Sequence, residues 1–188
     1  MNNFIGVYKN SLSSEDCQKI IEWFEKSPNL QSVGVIKGKV FRTDSAIKDS
    51  LDICINTEDK SWVTKSIVSA LVNGLKIYKK THSELDDCLN EWWLSETYNL
   101  QKYVPGGGYK LLHCESATRG DSIRVMAWMI YLNTIEDKGG TYFSSYDLTE
   151  KAEEGKLLIW PAYWTHCHRS VPSPTETKYI ATGWFEFV

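Results

Sequence analysis

Apolar positions recur at helical spacing in the N-terminal part of the chain and at strand spacing after about residue 96. Ser13 or Ser14, followed by Glu15 and Asp16, marks a helix start. A hydroxyl there caps free backbone N–H groups, and carboxylates favour the positive end of the helix. Ile20, Ile21, Trp23 and Phe24 give that helix its apolar face, and Ser27-Pro28 stops it. A second helix starts near Ser61, with Ile67, Leu71, Leu75 and Tyr78 on one stripe. Residues 82–91 predict a third, shorter helix with His82 solvated on it. Between the first two helices, residues 31–56 read as short strands and turns, with Gly34 and Gly38 interrupting alternating Val and Ile.

Beyond Glu96 the pattern becomes short runs rich in β-branched and aromatic residues, at 96–104, 109–115, 123–133, 140–146, 156–160, 165–171 and 178–187. Turn clusters separate them: Pro105-Gly106-Gly107-Gly108, Lys138-Gly139-Gly140, Glu153-Glu154-Gly155 and Pro172-Ser173-Pro174. Short strands at this rhythm, with no helical pattern between them, predict two facing antiparallel sheets, a jelly roll (double-stranded β-helix). The fold class expected is α+β, mostly β, with the N-terminal helices packed on the outer face of one sheet. With no linker or repeat, the chain reads as one domain over 1–188: helical support and a flap region over 1–95, and the jelly-roll core over 96–188.

Composition narrows the function classes. The 188 residues carry a net charge of -3, and the pI is near 5.8. There is thus no cationic excess to favour nucleic acid or an anionic membrane as the main partner. No apolar run approaches the length of a membrane span. Met1-Asn2-Asn3-Phe4 lacks the charged-then-apolar pattern of a secretory signal, so a cytoplasmic location is expected. The five Cys (Cys17, Cys54, Cys88, Cys114, Cys167) show no CxxC spacing, which predicts reduced thiols rather than a disulfide framework or structural zinc.

The chemistry concentrates in two segments. Three of the four His fall in Tyr109-Lys110-Leu111-Leu112-His113-Cys114-Glu115 and His166-Cys167-His168. Strand side chains alternate faces, so His113 and Glu115 are expected to point one way and Cys114 the other. The same rule groups His166 with His168 and sends Cys167 opposite. Two imidazoles and one carboxylate are the donor set of a mononuclear non-haem iron(II) site, which leaves half the coordination sphere open. Either His166 or His168 can complete the set from a facing strand. Lys178, at the start of a later strand, would need an anionic partner if buried.

The ordered set resembles the prolyl 4-hydroxylase-like branch of the iron(II)/2-oxoglutarate-dependent oxygenases, in its short microbial or phage-type form. Lys102-Tyr103-x-Pro105-Gly106-x-x-Tyr109-x-x-x-His113-x-Glu115 is similar to the family's Tyr-x-Pro-Gly…Tyr…His-x-Asp segment. Tyr131-Leu132-Asn133, Gly139-Gly140-Thr141-x-Phe143, His168-Arg169-Ser170-Val171-Pro172 and Lys178-Tyr179-Ile180-Ala181-Thr182-Gly183-Trp184 resemble its later motifs in order. The resemblance implies His113, Glu115 and His168 as metal ligands. It prefers His168 to His166 because Pro172 follows four residues on and Lys178 ten on. It also implies that Lys178, Tyr109, Tyr131, Thr182 and Trp184 bind the co-substrate.

The cofactors it implies are iron(II), 2-oxoglutarate and O2, with ascorbate as an accessory. The implied reaction is hydroxylation of an unactivated C–H bond, with a prolyl residue of a peptide or protein as first substrate choice. The alternatives are an oxygenase acting on a free amino acid or small metabolite, and a catalytically silent metal-binding jelly roll. Arg42, His166 and Trp164 are the candidate substrate contacts, and Trp92, Trp93 and Trp160 are further candidates for lining a groove. The chain departs from the family pattern twice. Glu115 replaces the usual Asp, and Thr141 follows Gly140 directly where the family has an intervening Glu.

Overall fold

In the computed structural model, residues 2–36 and 43–188 are described. The strands are β1 (Gly6–Tyr8), β2 (Ser32–Val33), β3 (Lys48–Asp49), β4 (Leu51–Asn56), β5 (Trp92–Leu94), β6 (Thr97–Tyr103), β7 (Gly108–Tyr109), β8 (Arg124–Tyr131), β9 (Thr141–Phe143), β10 (Leu148–Glu150), β11 (Leu157–Pro161), β12 (His168–Ser170) and β13 (Lys178–Phe187). The helices are α1 (Ser14–Glu25), α2 (Trp62–Thr81) and α3 (Glu84–Cys88). The two long helices start where the caps predict: Ser13 accepts from the Asp16 N–H at 3.1 Å, and Ser61 from the Thr64 N–H at 3.3 Å.

The main sheet runs β1-β11-β8-β13-β6-β4-β2, with β5 added to the end of β13. Its neighbouring strands are antiparallel, as a jelly roll requires. Two smaller sheets, β10-β9-β12 and β3-β7, close over one face of it. Strict alternation sorts the side chains. Ile53, Ile55, Tyr98, Leu100, Trp128, Ile130, Leu157, Ile159, Ala181 and Phe185 join α1 and α2 in one buried apolar cluster. The intervening residues, among them Tyr103, Ala127, Leu158, Trp160 and Ile180, form a second cluster on the opposite face.

Gly183 marks a close approach within the first cluster, because a Cβ there would stand 2.8 Å from the Trp128 indole. Glycine therefore lets this ring lie flat on β13. The helices do pack on one sheet, as expected. A cavity of about 640 Å³ lies on the other face, between the main sheet and the two small sheets.

Several sequence expectations shift. His82 is 7% exposed and packs against the Phe4 and Tyr78 rings rather than standing in solvent. The third helix is confined to Glu84–Cys88. Strand β10 is an addition to the expected set. The predicted strand over 109–115 shortens to Gly108–Tyr109 plus one bridge, His113 to His168. Among the described residues, no helix is long and apolar enough to cross a membrane.

Candidate metal centre and its cavity

The single bridge between His113 and His168 joins the two chemical segments. Each residue's N–H donates to the other's carbonyl, at 3.0 and 2.8 Å. Glu115 is held in turn by its own N–H on the Ala162 carbonyl at 3.0 Å. Three potential ligand atoms, one each from His113, Glu115 and His168, consequently lie within 4.8 Å of one another. The Nδ1 of His113 lies 2.8 Å from the Leu111 carbonyl, and the Nδ1 of His168 lies 2.9 Å from the His166 carbonyl. A carbonyl can only accept, so each Nδ1 carries the proton and each Nε2 keeps a lone pair. Those two Nε2 atoms converge on Glu115 Oε1, at 3.5 and 3.3 Å.

Burial pushes the Glu115 carboxyl up, but hydrogen bonding and charge from His113 and His168, in the form that carries a proton on Nε2 as well, outweigh it and hold the group well below the usual carboxylate range; a cation would take the place of those protons. Two lone-pair nitrogens and a carboxylate oxygen facing one point suit a divalent cation, and the donor set fits iron(II). Around this cluster, Tyr109 stacks on the His113 ring at 3.9 Å between centroids, and Trp160 meets His168 edge-on at 5.0 Å.

The far end of the cavity is cationic. Lys178 is 4% exposed and donates to the Gly139 carbonyl and to Ser170 Oγ, both at 2.8 Å, with its ammonium 5.2 Å from the Tyr103 ring centre. Burial pushes its pKa down to about 8. The other buried lysines among the described residues have carboxylates: Lys48 meets Asp52 at 2.7 Å, and Lys156 meets Glu153 at 3.3 Å and Glu150 at 3.4 Å. Among the same residues Lys178 has only neutral oxygens and opens on the cavity, as expected of a lysine awaiting an anionic ligand.

A chain of polar contacts runs along the wall from this end: Tyr103 donates to Gln101 at 2.7 Å, and Gln101 donates to Asp52 at 3.0 Å. Burial holds the Tyr103 hydroxyl well above its usual pKa, so it remains a neutral donor.

Tyr109, Thr182 and Trp184, which the resemblance implies as co-substrate residues, line the cavity with Lys178. Thr182 spends its hydroxyl on the Trp128 carbonyl at 2.8 Å, and Trp184 donates its indole N–H to Glu115 Oε2 at 2.7 Å. Tyr131 does not line the cavity. It is fully buried, and its hydroxyl meets Thr141 Oγ1 at 2.6 Å.

His166 is also displaced from expectation. Trp164–His166 is a 3-10 turn rather than strand, so alternation does not apply, and the ring turns away to the Asn3 carbonyl at 2.8 Å and the Tyr146 hydroxyl at 3.3 Å. Burial lowers its pKa, opposed by the Asn3 contact. Trp164 is 76% exposed and does not line the cavity; of the four Trp considered for a groove, only Trp160 does. Arg42 lies outside the described residues. Cys114 and Cys167 both line the cavity, contrary to the alternation rule, because regular strand ends at Tyr109 on one side and begins at His168 on the other.

Among the cavity residues that the sequence did not single out are Tyr103, Ser170, Gln101, Met129 and Asp52. Tyr103 had a partial signal, because two residues after Gln101 on β6 it shares that residue's face; its place opposite Lys178 comes from the strand register.

The sequence model of the 2OG-Fe(II) oxygenase superfamily matches residues 98–186, the stretch that holds all three clustered donors and Lys178. No curated protein matches the chain. Among solved structures, a prolyl-4-hydroxylase from Pseudomonas putida superposes with a TM-score of 0.72 at 15% identity, covering 98% of this chain and 93% of that one. A viral collagen prolyl hydroxylase from Paramecium Bursaria Chlorella virus-1, in complex with 2OG, gives 0.64 at 17% identity, covering 98% and 97%. A Trichoplax adhaerens prolyl hydroxylase, in complex with a hypoxia inducible factor peptide fragment, gives 0.72 at 18% identity, covering 98% and 84%. At these identities the likeness is one of fold.

Proposed function

Residues 98–186 match the sequence model of the 2OG-Fe(II) oxygenase superfamily, and from that premise we propose that the chain is a member of it, an iron(II)- and 2-oxoglutarate-dependent dioxygenase. Its reaction is hydroxylation of an unactivated C–H bond, with a prolyl residue of a peptide or protein as substrate. The observation that carries this reading is the pairing of two features in one cavity: the His113–Glu115–His168 cluster at one end, and at the other a buried lysine with no carboxylate partner among the described residues.

Iron(II) held with 2-oxoglutarate supplies the oxidising chemistry, coupling activation of O2 and loss of carbon dioxide from the 2-oxo acid to hydroxylation of the substrate. The chain's own residues do the rest. His113 and His168 offer Nε2 lone pairs because their Nδ1 protons are committed to backbone carbonyls. Glu115 adds one negative charge, so the cation keeps net positive charge with which to bind the carboxylate end of a 2-oxo acid. Lys178 and Ser170 form the seat for the distal carboxylate, an ammonium and a hydroxyl, with the Tyr103 ring beside them and its phenol proton given to Gln101. Anionic ligand there relieves the desolvation that depresses the Lys178 pKa. Met129, Trp160 and Ile180 supply apolar walls that keep water from the reacting end.

The substrate reading draws on what the similar proteins are named for, and on the cavity mouth. Val33, Leu111 and Leu112 are large, apolar and about half exposed, and they border the opening. Such a rim suits an extended peptide better than a small polar metabolite. The helical residues 1–95 and the strands of 96–188 act as one oxygenase domain, supported by the apolar cluster they share. The test is anaerobic titration of the iron(II)-loaded protein with 2-oxoglutarate, followed by succinate release in air over a panel of proline-containing peptides. The reading predicts a visible charge-transfer band and peptide-stimulated succinate. Cation binding with neither band nor succinate would instead make the cluster a structural clip.

A further inference from the structure

The longer side chain of Glu115 raises a geometric question, because its carboxylate has one more rotatable bond than an Asp at the same point. Left free, both oxygens could reach a cation and occupy two positions where the chemistry needs one. Around Glu115 the structure separates those oxygens. Oε1 faces the two His Nε2 atoms at 3.3 and 3.5 Å. Oε2 accepts the Trp184 indole N–H at 2.7 Å and lies 3.8 Å from the Arg124 guanidinium.

The indole is itself held. Arg124 stacks on the Trp184 ring with its central carbon 3.7 Å from the ring centre. The same guanidinium donates to the Glu115 backbone carbonyl at 2.8 Å, and is anchored by Asp121 at 3.1 Å and Glu186 at 3.4 Å. Trp184 and Arg124 sit on adjacent strands of the main sheet, whose register is fixed by the pairs Trp184 with Ala127 and Glu186 with Arg124.

Resting on the metal-site reading above, we propose that Trp184 is a positioning residue for Glu115: its indole N–H, fixed by Arg124, ties up Oε2 so that Glu115 gives the cation Oε1 alone. Three consequences follow. The third ligand is monodentate although it is a glutamate. The coordination positions needed for a bidentate 2-oxo acid remain open. The second oxygen of the longer carboxylate is taken up by a side chain on β13. A carboxylate one methylene shorter retracts from the indole, so the contribution of Trp184 is expected to depend on Glu at this position.

The experiment is a double-mutant cycle read by metal affinity. Cobalt(II) replaces iron(II) as an air-stable probe, and its dissociation constant is measured by competition with a chromophoric chelator. The four proteins are the wild type, Trp184→Phe, Glu115→Asp and the double variant. Loss of an outer hydrogen bond to a metal ligand weakens affinity by about 10- to 100-fold, and that range is expected for Trp184→Phe with Glu115 present. On the Glu115→Asp background, Trp184→Phe is expected to change affinity less than about twofold.

The visible bands of bound cobalt report coordination number. They are expected to lose intensity in Trp184→Phe as Oε2 swings onto the ion, and to stay unchanged on the Glu115→Asp background. Equal losses on both backgrounds would reduce Trp184 to packing, and an unchanged affinity and spectrum in Trp184→Phe would overturn the proposal. If Trp184→Phe does not melt cooperatively, benzothienylalanine at position 184, which keeps the fused ring and lacks the N–H, takes its place, with the same sign and a loss confined to the Glu115 background; equal losses on both backgrounds, or none, overturn the proposal there too. His113→Ala is the control for the underlying reading. Wild-type protein that binds cobalt no better than His113→Ala refutes the metal site itself and the positioning role with it.

Discussion

On the helix side of the main sheet, Tyr98, Leu100, Trp128, Ile130, Ile159 and Phe185 form a continuous apolar layer against α1 and α2. On the cavity side, the residues between them include Gln101, Tyr103, Met129, Trp160, Lys178, Thr182 and Trp184. The two sets come from the same strands and differ by one position in register: Lys178 opens on the cavity, and Tyr179 beside it packs edge-on against Phe24 and donates to Glu25. One side buries surface for stability. The other accepts costs, a desolvated ammonium and three converging groups that could hold a metal ion, which bound ligands would offset. Substitutions on the two sides are therefore expected to act in opposite ways.

The largest effect is expected on the helix side. Trp128→Ala removes a fully buried ring, and such truncations cost about 3–5 kcal/mol. Chemical denaturation should show that loss, while the fraction that stays folded keeps its cation and 2-oxoglutarate affinity. A change in ligand affinity at unchanged stability would break the division between the faces.

Next comes Lys178→Met, with the opposite sign. The Lys178 pKa is about 8 in the folded chain against an ordinary 10.5, a difference of roughly 3 kcal/mol. The folded state thus binds this proton more weakly than the unfolded state, and below pH 8 the charged group opposes folding. The ligand-free variant is expected to be more stable than the parent at pH 7. That advantage should shrink as pH rises from 8 towards 10.5. The same variant should lose the rise in melting temperature that 2-oxoglutarate gives the parent. A variant that melts lower and still responds to 2-oxoglutarate would contradict the assignment of Lys178 to the cavity side.

The pH dependence of binding refines the point. An ammonium is needed to seat the distal carboxylate, so 2-oxoglutarate affinity should fall by up to about tenfold per unit once pH exceeds the Lys178 pKa of about 8. Isothermal titration at pH 7, 8 and 9 checks this, and a flat profile would show that a neutral group suffices.

The smallest effect is expected from His166→Ala. It removes a buried ring and its contacts to Asn3 and Tyr146, at about 1–2 kcal/mol of stability, with cation affinity unchanged.

The legibility of this molecule in its sequence follows the regularity of the backbone. Where strands are long, alternation can be read directly: the β13 residues Lys178, Thr182 and Trp184 all reach the cavity. Helix starts at Ser13 and Ser61 are equally readable, because capping is local chemistry. The rule fails where regular structure stops. The 3-10 turn at Trp164–His166 rotates His166 out of the face that it would share with His168 on a strand. Irregular backbone around Cys114 brings that thiol to the cavity.

Tyr131 illustrates a different limit. It is on the expected face, but its hydroxyl is taken by Thr141 of the facing small sheet, a pairing that spacing alone does not encode. The placement of Tyr103 beside Lys178 depends on strand register, which the apolar pattern does not carry.

The most direct test of the central claim, that His113, Glu115 and His168 grip one divalent cation while His166 takes no part, is a metal titration of His168→Ala beside His166→Ala and the parent. The account predicts that His168→Ala loses tight binding and that His166→Ala binds as the parent does. Retained binding in His168→Ala, or its loss in His166→Ala at a pH and temperature where that variant is folded, would contradict it.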